Sequence, residues 1–313
     1  MDPLRILAEA RGSFTRAEAL EAGHDDKTIR REIKARHWVR VRNGAYTFTD
    51  LWSAMDEPAR HLATAHAAVR KLGRSVALSH TSGALEHGLA VWGADLSLVH
   101  VTRLDGGAGR TEAGVVHHEG LCVESELEER DGYLTVGPAR AALETASLCP
   151  AEGAVVVLDD GQHKRLFTPE QLDAQLAAME HWPYTLHLQF AVRFADGRAE
   201  SVGESRSRYL CYVHGLPKPD LQFHVYDERG HLVGITDMAW HEQRLLGEFD
   251  GKMKYGRLLA PGEEPGDAVF REKVREDALR RVTGYSMIRL TWGDLYRGAE
   301  TAANIRRLMR SAA

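Results

Sequence analysis

The chain reads as an α/β protein, α+β in its multidomain organisation, on three observations. Residues 4–48 spell three short helices and a hairpin. Residues 199–292 spell a helix, three strands, a helix and a strand, and the stretch between mixes both periods. A length of 313 residues leaves room for two or three domains. The pattern divides at 1–50, a winged helix-turn-helix; 51–198, a mixed α/β connector; and 199–313, an α-β-β-β-α-β domain.

Each N-terminal element has its own signal. Leu4 to Ala10 has amphipathic helical spacing, and Ser13-Phe14-Thr15 reads as a turn ending in a helix cap. Thr15 followed by Glu18 is a capping-box pattern, in which each side chain satisfies the other's free backbone N–H. It opens a second helix through Ala22. Asp25 can accept from the first-turn amides of a third helix, Asp26 to Ala35. Trp38 to Phe48 is a hairpin around Asn43-Gly44, a pair that tolerates the positive φ of a tight turn.

Lys27, Arg30, Arg31 and Lys34 fall at intervals of three and four along one stripe of the third helix, with Ile29 and Ile33 on another face. With Arg36, Arg40 and Arg42 they make seven bases against one acid, Glu32, inside a chain of formal net charge −5. A basic helix alone is commonly a solvated face. Joined to a wing, it predicts double-stranded DNA as the partner. Lys27, Arg30, Arg31 and Lys34 then lie on or beside a recognition helix, and Arg40 and Arg42 grip phosphate.

From 51 to 198 the signals are coarser. Asp56 to Leu72 is helical, Leu96 to Arg103 alternates as a strand, and Val115 to Glu119 is a paired strand. Thr168-Pro-Glu-Gln171 starts a helix with cap, proline and capping-box glutamine together. Gly106-Gly-Ala-Gly109 lacks the ending of a phosphate loop. His117 and His118 point to opposite faces and make a poor metal pair, while His80 and His87 are expected to pack or hydrogen-bond within the domain. The region either spaces the two ends or holds a protein partner's surface.

The strongest chemical signal lies at 232–252. Two apolar runs, each ending in acid, flank a polar turn at His241, Glu242 and Gln243, which predicts a hairpin. Alternation puts Glu248 and Asp250 on one face and Phe249 on the other, with Asp237 at the end of the preceding strand beside them. Three converging carboxylates repel one another, and a hard divalent cation with oxygen ligands relieves that repulsion. The expected metal ligands are Asp237, Glu248 and Asp250, and the expected ion is Mg²⁺ or Mn²⁺. Lys252, with Lys254 in reserve, follows where it could stabilise charge on a phosphate. Acids, a metal and a lysine are the parts for hydrolysing a phosphodiester.

Around this stretch, Ala199 to His214 is a helix ended by Gly215, Leu221 to Tyr226 a strand, Asp267 to Val282 a charged helix and Tyr285 to Trp292 a last strand. That order, with Glu204 in the first helix, then Asp237, then Glu248-Phe249-Asp250, resembles the PD-(D/E)XK nucleases. The nearest branch is the small Vsr-like and DUF559-type endonuclease domains, which share the acid-x-Asp-Gly run and an Arg-Leu-Thr-Trp strand like Arg289 to Trp292. The resemblance covers residues 199–313. It implies a restriction-endonuclease-like fold and a Mg²⁺-dependent DNA endonuclease with Asp237, Glu248, Asp250 and Lys252 as catalytic residues. Glu204 would hold a second metal or orient a metal-bound water. The family's lysine, two places after the strand acid, is Asp250 here, so Lys252 takes its role. Arg208, one helical turn after Glu204, either pairs with it or touches phosphate.

The other half of the chain resembles the AbiEi family of antitoxin-like transcriptional regulators. Val39 to Tyr46 matches its wing, Ala77 to Trp92 its Ser-His-x-Ser-Ala segment through Ser79-His80-Thr-Ser82, and Val136 to Ala146 its Pro-x-Arg helix. The resemblance implies autoregulated toxin–antitoxin or phage-defence operons, with a toxin or another defence protein as protein partner. Two functions follow. One is a DNA-binding, metal-dependent endonuclease of phage defence. The other is a transcriptional repressor or antitoxin whose nuclease-like domain is an inactive scaffold.

Composition bounds the rest. Apolar residues at 43% and charged residues at 27% are ordinary for a globular protein. No apolar run reaches the length of a membrane span, and Asp2 and Glu9 stand where a secretory leader would be basic, so no membrane partner is expected. Cys122, Cys149 and Cys211 are odd in number and far apart, which suits a reducing cytoplasm and neither a disulfide framework nor a zinc site.

Overall fold

Caps and ring burial shape the N-terminal segment. The structure is a computed structural model that describes residues 2–120, 122–130, 132–180, 182, 185–251 and 265–311. Helices α1 (Pro3–Arg11), α2 (Arg16–Glu21) and α3 (Asp26–Lys34) accompany a three-stranded sheet of β1 (Phe14–Thr15), β2 (Trp38–Arg42) and β3 (Ala45–Phe48) in the order β1-β3-β2. Thr15 and Glu18 form the reciprocal capping box, and Asp25 Oδ1 accepts from Thr28 N at 2.7 Å. Phe14-Thr15, expected as a turn, is a short strand with Phe14 opposite Tyr46. The Phe14 ring is fully buried and edge-on to Trp38 at 4.8 Å, and burying it draws the segment into the sheet.

Helix α4 (Thr49–Ala54) leads into α5 (Glu57–Leu72), which packs on a six-stranded mixed sheet. Its strands are β4 (Val76–Leu78), β5 (Val99–Arg103), β6 (Arg110–Glu112), β7 (Val115–His118), β8 (Leu127–Arg130) and β9 (Tyr133–Val136), in the order β6-β7-β5-β4-β9-β8. Val99, Val101 and Val115 join the α5 side of the core, so alternation turns His100, Thr102 and His118 to the other face. Helices α6 (His80–Glu86) and α7 (Pro138–Leu148) pack on each other, followed by α8 (Ala151–His163), α9 (Pro169–Ala178) and α10 (Leu188–Phe194). The chain divides into two compact units, Met1–Gly161 with Arg165–Arg193, and Gln162–Lys164 with Phe194–Ala313. The border expected at residue 50 falls inside the first unit, where Arg70 Nη2 of α5 donates to Ser13 Oγ at 2.6 Å.

In the second unit α11 (Val202–Val213) precedes β10 (Asp220–Tyr226), β11 (Leu232–Trp240) and β12 (Leu245–Asp250), then α12 (Pro265–Thr283) and β13 (Ser286–Thr291). The sheet order is β10-β11-β12-β13, antiparallel except for the parallel β12–β13 pair. Leu279 of α12 packs with Val225, Ala239 and Leu246 on one face. Met238, Trp240, Leu245, Ile288 and Leu290 face the opposite core with α11, α13 (Trp292–Tyr296) and α14 (Gly298–Ser311). Trp292, expected to end the last strand, instead begins α13, because Asp294 Oδ2 accepts from both Thr291 N at 2.9 Å and Thr291 Oγ1 at 2.6 Å and closes a helical turn. No described helix is long and apolar enough to cross a membrane.

Candidate functional site

Strand register brings the second unit's acids together. Met238 lies opposite Gly247, so the next pair outward is Asp237 with Glu248, on the face away from Met238. Beyond the last ladder pair, Phe249 N donates to Asp237 Oδ2 at 2.6 Å. Phe249 points the other way, as alternation requires. Its ring meets Trp292 edge-on at 4.9 Å and lies so close to Gly203 of α11 that a Cβ there would sit 1.9 Å from it. Asp237, Glu248 and Asp250 line one cavity of 230 Å³ with Ile235, Phe249, Glu272, Arg275 and Arg289.

Burial pushes the Asp237 carboxyl up to about 6, opposed by the Phe249 N–H and reinforced by the charge of Glu204. Glu248 is 6% exposed, and burial raises its carboxyl above the ordinary range while Arg275 pulls it back. Arg275 Nη2 donates to Glu248 Oε1 and, at 2.8 Å, to Glu272 Oε1. Arg289 Nη2 donates to Glu248 Oε2 at 3.2 Å, Glu272 Oε1 at 3.1 Å and Glu276 Oε2 at 3.2 Å. The sequence reading missed both arginines. Arg289 is the register partner of Glu248 across the parallel pair, a relation no local pattern shows.

Oxygen donors of this kind suit a hard divalent cation. As arranged, however, they do not fit one. Both Glu248 oxygens are engaged by guanidinium groups, and among the described residues no three His, Cys, Asp or Glu side chains are grouped to hold an ion. The expected metal set of Asp237, Glu248 and Asp250 is therefore gathered at one cavity but not assembled around a centre.

Glu204 does not line this cavity. Its oxygens accept from Ser201 Oγ at 2.7 Å, Glu200 N at 3.0 Å and Gln222 Nε2 at 3.0 Å, which ties it to the start of α11 and to β10. Gln222, also missed, stands between Leu221 and Phe223, which pair with Met238 and Thr236, and so is Asp237's neighbour on β10. Arg208 overturns both of its expectations. It is 1% exposed, its Nη1 donates to Phe194 O at 2.6 Å and its guanidinium stacks on the Phe194 ring at 4.2 Å. Burial explains this, since its length reaches a carbonyl and a ring away from solvent. Lys252 and Lys254 lie outside the described residues.

In the first unit Lys27, Arg30, Arg31 and Lys34 are all exposed on α3, while Ile29 is buried and Ile33 packs against the same core. Arg40 is exposed on β2. Arg42 departs from the expected phosphate grip. Its Nε and Nη1 are buried without a hydrogen-bond partner, and burial lowers its pKa. Strand alternation between Arg40 and Arg42 is broken by a register shift, which turns Arg42 partly inward.

A second cavity, 330 Å³, lies on the α6–α7 side of the six-stranded sheet, with His80, Thr102, His118, Glu144 and Trp182 in its lining. His80 stacks on His118 with ring centres 3.6 Å apart, and His118 Nε2 is 2.9 Å from His100 Nδ1. Glu144, 1% exposed, accepts from His80 N at 3.0 Å and Arg140 Nε at 2.9 Å. His80 takes a φ of 49°, an uncommon left-handed value for a non-glycine residue. Desolvation and the neighbouring histidines hold His100 down at about 3, so the cluster is neutral at neutral pH. His87, as expected, is a packed hydrogen-bonding residue, Nε2 to Val136 O at 2.7 Å.

No family model matches the chain. Over 186 residues it is 30% identical to "Uncharacterized protein MT2308" of Mycobacterium tuberculosis (strain CDC 1551 / Oshkosh) and to "Uncharacterized protein Rv2248" of Mycobacterium tuberculosis (strain ATCC 25618 / H37Rv). Each match spans 57% of this chain and 68% of the relative. The chain belongs to the same family as these two mycobacterial proteins.

Proposed function

We propose that the protein binds double-stranded DNA through α3 and the β2–β3 hairpin, as a winged helix-turn-helix, and that its second unit is a restriction-endonuclease-like domain acting on a phosphodiester. The setting is phage defence or a toxin–antitoxin-like operon, with a toxin or defence protein as possible partner. The observation that carries the reading is the exposed stripe of Lys27, Arg30, Arg31 and Lys34 on a helix whose other face is buried, in a chain of net charge −5. The cavity that gathers Asp237, Glu248 and Asp250 supports the hydrolytic half. A Mg²⁺ or Mn²⁺ ion would need Glu248 freed from its arginines before these carboxylates could receive it.

That last point favours a second reading. With Glu248 neutralised by Arg275 and Arg289, and Asp250 where the resembled family has lysine, the domain could serve a repressor or antitoxin as an inactive scaffold.

One experiment separates the readings. The full chain is tested for binding to a random-sequence duplex across a salt series, and for nicking of supercoiled plasmid with and without Mg²⁺. The first reading expects salt-sensitive binding plus Mg²⁺-dependent nicking that Asp237→Ala and Glu248→Ala abolish while leaving binding intact. Binding without nicking selects the repressor. Absence of salt-sensitive binding sinks both.

A further inference from the structure

The residues lining the 330 Å³ cavity of the first unit carry polar atoms whose hydrogen bonds the fold leaves unmade. Thr102 is 1% exposed, and its Oγ1 has no hydrogen-bond partner among the described residues. His80 engages Nδ1 with Ser79 Oγ at 3.1 Å, and His118 engages Nε2 with His100. His80 Nε2 and His118 Nδ1 have no partner among the described residues. His80 is also held at a φ of 49°, a strained backbone of the kind that clusters at ligand sites. Leu148, Met179 and Trp182 supply apolar walls. A few unmet polar atoms converging on an apolar cavity of this size is the arrangement of a small-molecule site.

Charge and shape narrow the ligand. Burial keeps the His80 and His118 imidazoles below their ordinary range, so both are neutral at neutral pH and able to donate or accept according to tautomer. The charged side chains in the lining are carboxylates, Glu119 and Glu144, which disfavours an anion. Glu144 already accepts from Arg140 Nε and His80 N, which leaves little for a cation. Gly120 keeps the space open. A Cβ built on it would lie 3.6 Å from Thr102 Cγ2, 3.7 Å from Arg140 Nη2 and 4.0 Å from Trp182 Cη2, so one point is ringed by three groups at ordinary contact distance.

We propose that this cavity binds an uncharged, planar nitrogen heterocycle of the nucleobase kind, stacked on Trp182 with its polar edge bonded to Thr102, His80 and His118. A base has apolar faces and an edge of neighbouring donors and acceptors, which match an indole wall and a set of neutral hydroxyl and imidazole groups. The base comes either as a free nucleoside or as part of a single strand.

The test is calorimetric titration of the full chain with adenosine, guanosine, cytidine and uridine, with their monophosphates, and with short single-stranded oligonucleotides. At least one nucleoside should bind, and more tightly than its monophosphate, because the lining offers carboxylates to a phosphate. Thr102→Val should weaken that binding about 2- to 12-fold, the worth of one neutral hydrogen bond. The same variant should keep or raise thermal stability, since it removes a buried hydroxyl that has no partner among the described residues. Trp182→Leu should weaken binding about 5- to 150-fold, the worth of stacking a base on an aromatic ring. Gly120→Ala, which meets its neighbours at ordinary contact distance, should fold normally and weaken binding by filling the open space. Oligonucleotide binding that these substitutions weaken, with no binding of nucleosides, supports the site and assigns the base to a strand. Binding that none of the three substitutions alters, or no binding of any of these ligands, overturns the proposal. A monophosphate bound more tightly than its nucleoside overturns it too, as does a Thr102→Val protein that is less stable yet binds with unchanged affinity.

Discussion

Glu248 on β12 and Arg289 on β13 are register partners in a parallel strand pair, joined by a bond from Arg289 Nη2 to Glu248 Oε2 at 3.2 Å. The pair is built into the sheet rather than added by a loop. It places a cation at the most buried acid of the cavity, while Asp237, one strand further, accepts from Phe249 N. Burial raises both carboxyls, that of Asp237 up to about 6, and Arg275 opposes the rise at each.

Asp237 should weaken the fold as pH rises. Its carboxyl titrates near 6 in the folded protein against an ordinary value of 3.8, so the native state holds its proton more tightly than the unfolded chain. Below 3.8 both states are protonated and stability is full. Between 3.8 and about 6 the unfolded chain loses its proton first, and stability falls by about 1.4 kcal/mol per pH unit. Asp237→Asn, whose amide oxygen can still accept from Phe249 N, should raise stability at neutral pH by roughly 1–3 kcal/mol and flatten this part of the profile. Urea unfolding of both proteins on either side of that window decides the matter; parallel profiles would show that Asp237 is not the group responsible.

Gly203→Ala should destabilise the second unit by about 1–3 kcal/mol, the usual range for overpacking. The added methyl would meet the Phe249 ring, which cannot retreat easily because Trp292 packs edge-on against it. In Gly203→Ala with Phe249→Ala the two losses should be less than additive, since the second substitution removes the clash created by the first. Simple additivity in thermal unfolding would mean that the ring and the helix are not in this contact.

Arg40→Ala should weaken binding to every duplex alike and reduce the salt slope by roughly one unit, as expected for a phosphate contact. Arg30→Ala, on the exposed stripe of α3, should instead relax preference at one base position. Arg42→Ala should leave the salt slope nearly unchanged, because two of its nitrogens are buried in the domain. Titrations of the three variants against selected and random duplexes across a salt series provide the comparison. A slope change for Arg42 equal to that for Arg40 would contradict the inward orientation.

The histidine cluster of the first unit should make that unit sensitive to acid. His100 titrates at about 3 when folded against 6.5 ordinarily, chiefly through desolvation and then through His80 and His118. Stability is full above 6.5, where both states are neutral, and declines as pH falls from there toward 3 because only the unfolded chain takes up the proton. The loss is about 1.4 kcal/mol per pH unit for each such histidine. His100→Gln should lessen the slope of unfolding free energy across mildly acidic pH; an unaltered slope would remove His100 from the cause.

Local chemistry was legible in the chain. Thr15 with Glu18, Asp25 before α3, and Thr168 with Gln171 declare helix starts because a cap and its partner are three residues apart, so the bond forms within one turn. Glu248, Phe249 and Asp250 could be assigned to faces because a strand alternates whatever it pairs with. The order of elements from α11 to β13 followed from the same short-range patterns. Partners brought from elsewhere in the chain were not legible. Arg275 and Arg289 reach Glu248 across 27 and 41 residues, and His80 meets His118 from another element altogether. Nothing in the neighbourhood of Glu248 announces that its charge will be met by guanidinium rather than a metal ion. Nor does the sequence around Arg208 show that a carbonyl and a phenyl ring will claim it before Glu204 can. Those choices depend on strand register and on which long side chains burial leaves within reach, and both exist only once the sheets and helices have packed.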